Sequence, residues 1–276
     1  MKFKVGLCQI PGSRATEMEK DKKDNILNAK RMIREAASNG CDFVALPEMW
    51  NTPYSNDYFR EYAEPVTGET VKFMSSIAKE LGIYLIGGTI AELEDDKVYN
   101  TCFVFDRNGE IIGRHRKTHL FDIDVKGGVR MMESDTLTAG DDVTVIDTEF
   151  GKIGIAVCYD VRFEDLFMNM ALKGAHTIFL PAAFTTVTGP LHWELLMRAR
   201  AIDNEVYFAA ISPGRNPEGP YQAFGHTMFI DPWAKVLAEA GTGEEIVYAE
   251  ADLDYLETVR AQLPVLRHRR PELYKK

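Results

Sequence analysis

Apolar positions along the chain fall into two rhythms that alternate through its first two thirds. KVGLCQI near the N-terminus is an almost unbroken apolar run, and it predicts a buried strand. The next stretch, 19–38, places Ile26, Ala29, Ile33 and Ala36 three and four residues apart on one helical face, and Asn39 and Gly40 supply a stop. DFVALPE reads as a second strand, 70–81 as a second helix ended by Gly82, and IYLIGG as a third strand. In NTCFVFDRNGEIIG two β-rich runs flank Asp106 to Gly109, which predicts a hairpin. VTVIDT and GKIGIAVC are strands about a glycine turn, 160–173 is helical, AHTIFLPAA a strand, 191–204 helical and VYFAAIS a strand. HTMFIDP, AKVLAEA and EIVYAEADL then follow as strands with no helix between them, and a last helix covers 254–262, before Pro264.

Alternating strands and helices followed by consecutive strands indicate an α/β layered fold with mixed sheets. No Pro/Gly/Ser-rich linker, low-complexity run or repeat divides the 276 residues, so one domain is expected. Composition adds exclusions. Apolar residues make up 45% and charged residues 27%, the balance of an ordinary globular protein. A net charge of −10 argues against nucleic acid or an anionic membrane as partner. The one basic cluster, RHRRPELYKK, reads as a solvated or packed terminus. Four scattered cysteines without a C-x-x-C pair suit a reducing compartment. Neither a secretory leader nor a bilayer-length apolar segment is present, and a soluble cytoplasmic protein is the expectation.

Three strands end in residues with useful chemistry, where reactive groups of open α/β sheets gather. DFVALPE ends with Glu48, EIIGRHRK with Lys117 and GKIGIAVC with Cys158. Cys158 stands where an apolar run turns into the polar stretch YDVRFED. If Asp160 caps a following helix, the thiol faces the positive end of a dipole, which lowers a thiol pKa, and the Tyr159 amide points into the same space. The bland alternatives are an inert buried cysteine, a salt-bridged Glu48 and a surface Lys117; Cys8 and Cys102, inside apolar runs, read as core thiols. A thiol nucleophile needs a base. None of the six histidines stands at a strand end as Glu48 does, though a folded Cys–His pair stays open on sequence alone. His115 and His119 in HRKTH are four apart, but the basic residues around them argue against a metal site. GTGEE lacks the context of a phosphate loop.

The segments LPEMW, RHRKTHLFD and GIAVCYDVRFED, in this order, resemble the signatures of the nitrilase, or carbon-nitrogen hydrolase, superfamily. The resemblance runs from KVGLCQI to about IVYAEADL. NTPYSNDYFREYAE, YLIGGTIAE, KTHLFDIDV, TGPLHWELLMRARAIDNEVY and FGHTMFIDPWAKVLAEAG are similar to the omega-amidase branch, which hydrolyses the terminal amide of 2-oxoglutaramate and 2-oxosuccinamate. This likeness implies a single-domain four-layer α-β-β-α sandwich with two mixed β-sheets. It implies a hydrolase domain over 3–253, with a C-terminal helix and tail, 254–276, packed on it or at a dimer interface. The implied site has Cys158 as nucleophile, Glu48 as base, Lys117 and the Tyr159 backbone amide as oxyanion donors, and Glu133 in RMMESDTLTAGD as a second glutamate. No metal or organic cofactor is implied; the partners are a small amide substrate, water and a second copy of the chain. The helix beginning near Leu191 and the segment with Leu263 and Leu266 have apolar faces for such a dimer. A distal carboxylate on the substrate needs donors, for which Tyr54, Arg162 and Thr185 are the candidates; Arg162 has a rival reading as a structural ion-pair partner. Another amidase branch, acting on deaminated glutathione or a simple amide or nitrile, is the runner-up. A non-catalytic scaffold keeping the same fold is the alternative outside the enzymes.

Overall fold

A computed structural model describes residues 1–124, 126 and 130–274. In chain order the first half comprises β1 (Lys2–Gln9), α1 (Met18–Ser38), β2 (Phe43–Ala45), α2 (Asn56–Tyr62), α3 (Glu69–Leu81), β3 (Tyr84–Ile86), β4 (Ile90–Glu94), β5 (Lys97–Phe105) and β6 (Ile111–Arg116). A small hairpin, β7 (Asp122–Asp124) and β8 (Arg130–Met132), leads to β9 (Thr144–Thr148), β10 (Gly151–Ile155), α4 (Glu164–Leu172), β11 (Thr177–Pro181), α5 (Gly189–Asp203) and β12 (Tyr207–Ile211). The chain closes with β13 (Met228–Ile230), β14 (Val236–Glu239), β15 (Glu245–Asp252), α6 (Leu253–Gln262) and α7 (Val265–His268).

Two mixed sheets result. The first runs β15-β1-β2-β3-β5-β4, with β6 beside β5; the second runs β14-β13-β12-β11-β10-β9. Strands β1, β2 and β3 are parallel, as are β10, β11 and β12, and the flanking pairs are antiparallel. Period-two alternation sends Phe3, Val5 and Leu7 of β1 between the sheets while Cys8 packs outward among the residues of α1 and α3. Both faces are covered, which is why these strands read as continuous apolar runs rather than alternating ones. On the outer face of the first sheet lie Ala29, Met32, Ile33 and Ala36 of α1 and Val71, Met74 and Ile77 of α3. Phe43 of β2 meets Phe179 of β11 with ring centroids 5.7 Å apart, and Phe208 of β12 meets Phe167 of α4 at 5.8 Å. The layer order is therefore helix, sheet, sheet, helix.

Local pattern and fold part company in a few places. The expected helix over 160–173 is broken: a 3-10 turn, Cys158–Arg162, comes first, Phe163 is extended, and α4 starts at Glu164. The Asp160 side chain turns back to accept from the Val157 amide, and the His119 ring stacks on Phe163 with centroids 3.7 Å apart. Helix α2, strand β4 and the hairpin β7/β8 were not signalled by apolar spacing. Strand β4 (IAELE) carries the buried Glu92, which is bonded by Arg116 Nε at 2.8 Å and Thr101 Oγ1 at 2.7 Å. Near the C-terminus Leu256 and Val259 of α6 are buried, and the Glu205 carboxylate accepts from the amides of Val265 and Leu266.

Candidate active site

The three strand-end residues meet between the sheets. Glu48 lies three residues past the end of β2 and is held through its backbone neighbours. Thr89 donates its amide to Pro47 O at 3.0 Å, the Met49 amide donates to Thr89 Oγ1 at 2.9 Å, and the Trp50 indole donates to Gly87 O at 2.9 Å. The close approach depends on Gly88, whose φ is 60° and whose Cβ would sit 2.2 Å from Pro47 O. Lys117 follows β6, its amide bonded to Asn100 O at 2.8 Å and its carbonyl accepting from Gly140 at 2.9 Å. Cys158 follows β10 in a tight turn with φ of 46°, a left-handed backbone that costs a non-glycine residue about 1–3 kcal/mol unless its surroundings hold it.

Asp160 does the holding. Fully buried, its carboxylate accepts from the Val157 amide at 2.9 Å, Thr118 Oγ1 at 2.8 Å and the His119 amide at 2.9 Å, and contacts His119 Nδ1 at 2.8 Å and His115 Nε2 at 3.2 Å. It joins the residue before the thiol to the two residues after Lys117. Both histidines of HRKTH are turned to this carboxylate. Burial would raise the Asp160 pKa, but the hydrogen bonds from His115 and His119 outweigh it and hold the carboxyl well below the usual range.

Glu48, Lys117 and Glu133 are at most 1% exposed, and Cys158 is 5% exposed. Lys117 Nζ donates to Glu48 Oε1 at 3.2 Å and to Glu133 Oε1 at 2.9 Å. Glu48 also accepts from Asn100 Nδ2 at 2.8 Å and from the Ala183 amide at 2.7 Å, while the Ala183 carbonyl accepts from the thiol of Cys158 at 3.9 Å and from Tyr221 OH at 2.6 Å. Glu133 opens a short 3-10 turn after β8 and accepts from the Phe121 amide at 2.7 Å. Tyr54 OH reaches both carboxylates, Glu133 Oε1 at 2.7 Å and Glu48 Oε1 at 3.1 Å.

Electrostatics differ from the local reading of the sequence in one respect. The five-residue 3-10 turn supplies no α-helical dipole, and the Cys158 thiol is not acidified: burial first, and then the Glu48 charge, push its pKa well above 9.0. Burial also raises Glu48 above 4.5, against the pull of Lys117. Burial alone would lower Lys117, yet Glu133 and Glu48 outweigh it and keep the ammonium charged. The resting arrangement is a neutral thiol beside a buried carboxylate and a fixed cation.

Cys158 lies in a cleft of about 320 Å³ shared with Tyr159, Arg162, Thr185, Tyr54 and Tyr221. Thus Tyr54, Arg162 and Thr185 all reach the cleft, but in different ways. The Tyr54 hydroxyl is engaged by the two glutamates, and Thr185 Oγ1 accepts from the amides of Val187 and Thr188, each at 3.2 Å. Among the described residues Arg162 has no carboxylate within 4.0 Å; Nη2 meets His192 Nδ1 at 3.2 Å, and the guanidinium lies over the rings of Tyr159 and Phe184. Sequence reasoning did not single out Asn100, His192 or Tyr221. Asn100 offered a signal, since an amide inside an apolar strand must find a partner. Tyr221 sits in a Gly/Pro-rich loop and offered none.

Fold and site together define an α-β-β-α hydrolase with a thiol buried beside carboxylates at the end of a cleft. The chain belongs to the carbon-nitrogen hydrolase family, whose sequence pattern matches residues 4–261. It is 48% identical over 273 residues to omega-amidase NIT2-A of Xenopus laevis, covering 99% of this chain and 97% of that protein. It is also 48% identical over 278 residues to the chloroplastic omega-amidase of Arabidopsis thaliana, covering 99% of this chain and 74% of that one. The crystal structure of Saccharomyces cerevisiae Nit3, a member of branch 10 of the nitrilase superfamily, superposes with a TM-score of 0.88 at 44% identity, over 98% of this chain and 97% of that chain. Among the described residues no helix is long and apolar enough to cross a membrane.

Proposed function

We propose that the protein is an omega-amidase, hydrolysing the terminal amide of a small 2-oxo dicarboxylic acid monoamide such as 2-oxoglutaramate to the acid and ammonia through a cysteine thioester. The supporting observation is the joint one: a chain similar to omega-amidases over 99% of its length carries a closed cluster of Cys158, Glu48, Lys117 and Glu133 at the end of its cleft. In this reading Glu48 takes the thiol proton and the sulfur attacks the amide carbon. The transfer neutralises Glu48, whose charge is one reason the thiol holds its proton, so the step removes part of its own barrier. Negative charge then passes to the substrate oxygen, met by the Lys117 ammonium and the Tyr159 backbone amide; losing one such donor costs about 100- to 1000-fold in rate. The proton moves to the leaving nitrogen, ammonia departs, and Glu48 activates water against the thioester. Glu133 keeps Lys117 charged and orients the amide nitrogen.

Arg162 is the proposed anchor for the distal carboxylate, since its guanidinium reaches the cleft without an acidic partner among the described residues. Tyr54 and Thr185 complete the lining, Tyr54 chiefly by fixing the two glutamates. No metal or cofactor takes part. We assign the hydrolase domain to 3–253 and the packing segment to 254–276. A homodimer in the cytoplasm completes the proposal: the α5 face presents Leu191 and Leu195, 70% and 68% exposed, and the four free cysteines suit a reducing compartment. Sedimentation at micromolar concentration is expected to give a dimer, and a monomer alone would overturn the assembly.

The test is ammonia release from 2-oxoglutaramate, deaminated glutathione and a simple nitrile by the wild type and by Cys158→Ala. Turnover fastest on 2-oxoglutaramate and absent in the variant is expected. Preference for another member of the panel overturns the branch, and an active Cys158→Ala overturns the mechanism.

A further inference from the structure

The proposed base and nucleophile face different spaces. Cys158 lines the front cleft, whereas Glu48 lines an adjoining rear chamber of similar size, about 290 Å³, together with Gly12, Ser13, Met49, Thr52 and Ala223. Tyr54, Ala183 and Tyr221 line both and mark where the two spaces adjoin, with the two tyrosine rings 4.8 Å apart at their centroids. The Ala183 peptide links the two sides: its N–H holds Glu48 and its carbonyl receives Cys158 and Tyr221. The rear chamber has room for about one water. The hydroxyls of Ser13, Thr52, Tyr54 and Tyr221 on its wall already donate within the protein, so the water would donate one hydrogen to Glu48 and one to a hydroxyl oxygen, which meets the two bonds a confined water needs. At its outer end Gly12 also lines an open polar cleft of about 1060 Å³ bordered by Pro11, Arg14, Asn25, Arg215 and Asn216.

We infer that the rear chamber is the binding site of the hydrolytic water, loaded from the outer cleft past Gly12. The inference rests on the amidase reading. Once the thioester forms, the acyl group occupies the front cleft beside Cys158, so water entering by that route must pass the substrate. Water in the rear chamber meets Glu48 directly. Glu48 accepts one water proton, the hydroxyl oxygen bonds to the thioester carbon, the carbon–sulfur bond breaks, and the sulfur takes the proton from Glu48. Acid and free thiol are the products.

Gly12→Leu plugs the neck. Gly12 has no left-handed backbone and a Cβ there meets nothing closer than Gly214 O at 3.8 Å, so the backbone accepts a side chain. Ala223→Val narrows the chamber from its other wall and serves as an independent variant. Both are assayed on 2-oxoglutaramate by rapid-mix ammonia release and by intact-protein mass spectrometry at steady state, with urea midpoints confirming folded protein. The expected result is an ammonia burst of one equivalent per site at a rate within twofold of wild type, turnover reduced at least tenfold, and an accumulated thioester mass. A burst slowed as much as turnover overturns the inference, because the passage then serves ammonia or the acylation step. Normal turnover in both folded variants also overturns it. If the wild type releases no ammonia from 2-oxoglutaramate, the amidase reading falls, and the water route with it; normal wild-type turnover with unaltered plugs removes the route alone.

Discussion

Replacing Asp160 tests whether the cleft's geometry depends on a buried carboxylate outside the reacting groups. In Asp160→Ala the Val157 and His119 amides and the Thr118 hydroxyl lose their acceptor inside the protein. An unsatisfied buried donor costs about 1–3 kcal/mol, so the three together imply a loss of roughly 3–5 kcal/mol after relaxation, a large part of a typical domain's stability. Asp160→Asn keeps the side chain's shape and one acceptor oxygen. With Oδ1 retained, Thr118 and His119 stay bonded, while an amide group faces the Val157 N–H, for a loss of about 1–3 kcal/mol. That loss falls on the turn holding Cys158 in its left-handed backbone and on its link to the Lys117 loop. A displacement there of about 1 Å can cost about 100-fold in rate, so kcat should fall roughly 10- to 100-fold in Asp160→Asn while KM for 2-oxoglutaramate stays within about threefold. Urea unfolding and steady-state kinetics measure both effects. The sign of the pH dependence follows from the depressed pKa. The carboxylate's stabilisation is complete above the unfolded value of about 4 and disappears as pH falls through the lower folded value, so this acid-sensitive component should vanish in Asp160→Asn. Wild-type kcat and an unchanged urea midpoint in Asp160→Asn refute the reasoning.

The remaining expectations concern charge. Because burial raises Glu48, the acid limb of kcat/KM should show an apparent pKa above 4.5, and because Lys117 is raised, no loss from lysine titration should occur below about pH 10; a pH–rate profile with its acid limb at or below 4.5 contradicts this. Arg162→Ala should raise KM for 2-oxoglutaramate about 10-fold or more with little change in kcat, since a hydrogen bond to a charged group is worth about 1.5–3 kcal/mol. A simple uncharged amide assayed beside it should be indifferent, and equal effects on both substrates rule out a carboxylate anchor. His176, lowered by burial and by Arg260 from 6.5 to about 4, binds its proton more readily when unfolded. Its contribution is complete above pH 6.5 and is lost as pH falls towards 4, by about 3 kcal/mol, so His176→Phe should flatten the fall in urea midpoint over that window.

Much of the fold was legible because both faces of each main sheet are buried. The central strands then announce themselves as apolar runs, and the helices on the outer faces by three- and four-residue spacing. Strand β4 escaped because its chemistry is not local. Glu92 is tolerable inside the sheet through Thr101, nine residues on, and Arg114 and Arg116, twenty-two and twenty-four residues on, brought alongside by pairing with β5 and β6. Helix α2 has seven residues, of which Phe59 and Tyr62 are buried, too few to make a periodic pattern. The interruption at Phe163 has no glycine or proline to mark it; stacking by His119 from another loop and the turned-back Asp160 make it.

The candidate site was legible as positions and not as electrostatics. Strand ends point to Glu48, Lys117 and Cys158, and the resemblance adds Glu133, but a local reading of Cys158 counts a following helix as the source of its reactivity. In the folded chain that source is absent, and burial works against both the thiolate and the Glu48 carboxylate. Two groups raised together can still exchange a proton, because what governs the transfer is the gap between them. Lys117 bears on that gap from both sides: its charge favours the carboxylate before the transfer and the thiolate after it. Glu133 and Glu48 together make the cation persist where burial alone would weaken its hold on the proton. A lysine without the second carboxylate would hold its proton less firmly in this setting, and with it the means of stabilising either anion. That dependence joins residues sixteen, forty-one and sixty-nine positions from Lys117 in one proton balance, and no short window along the chain contains it.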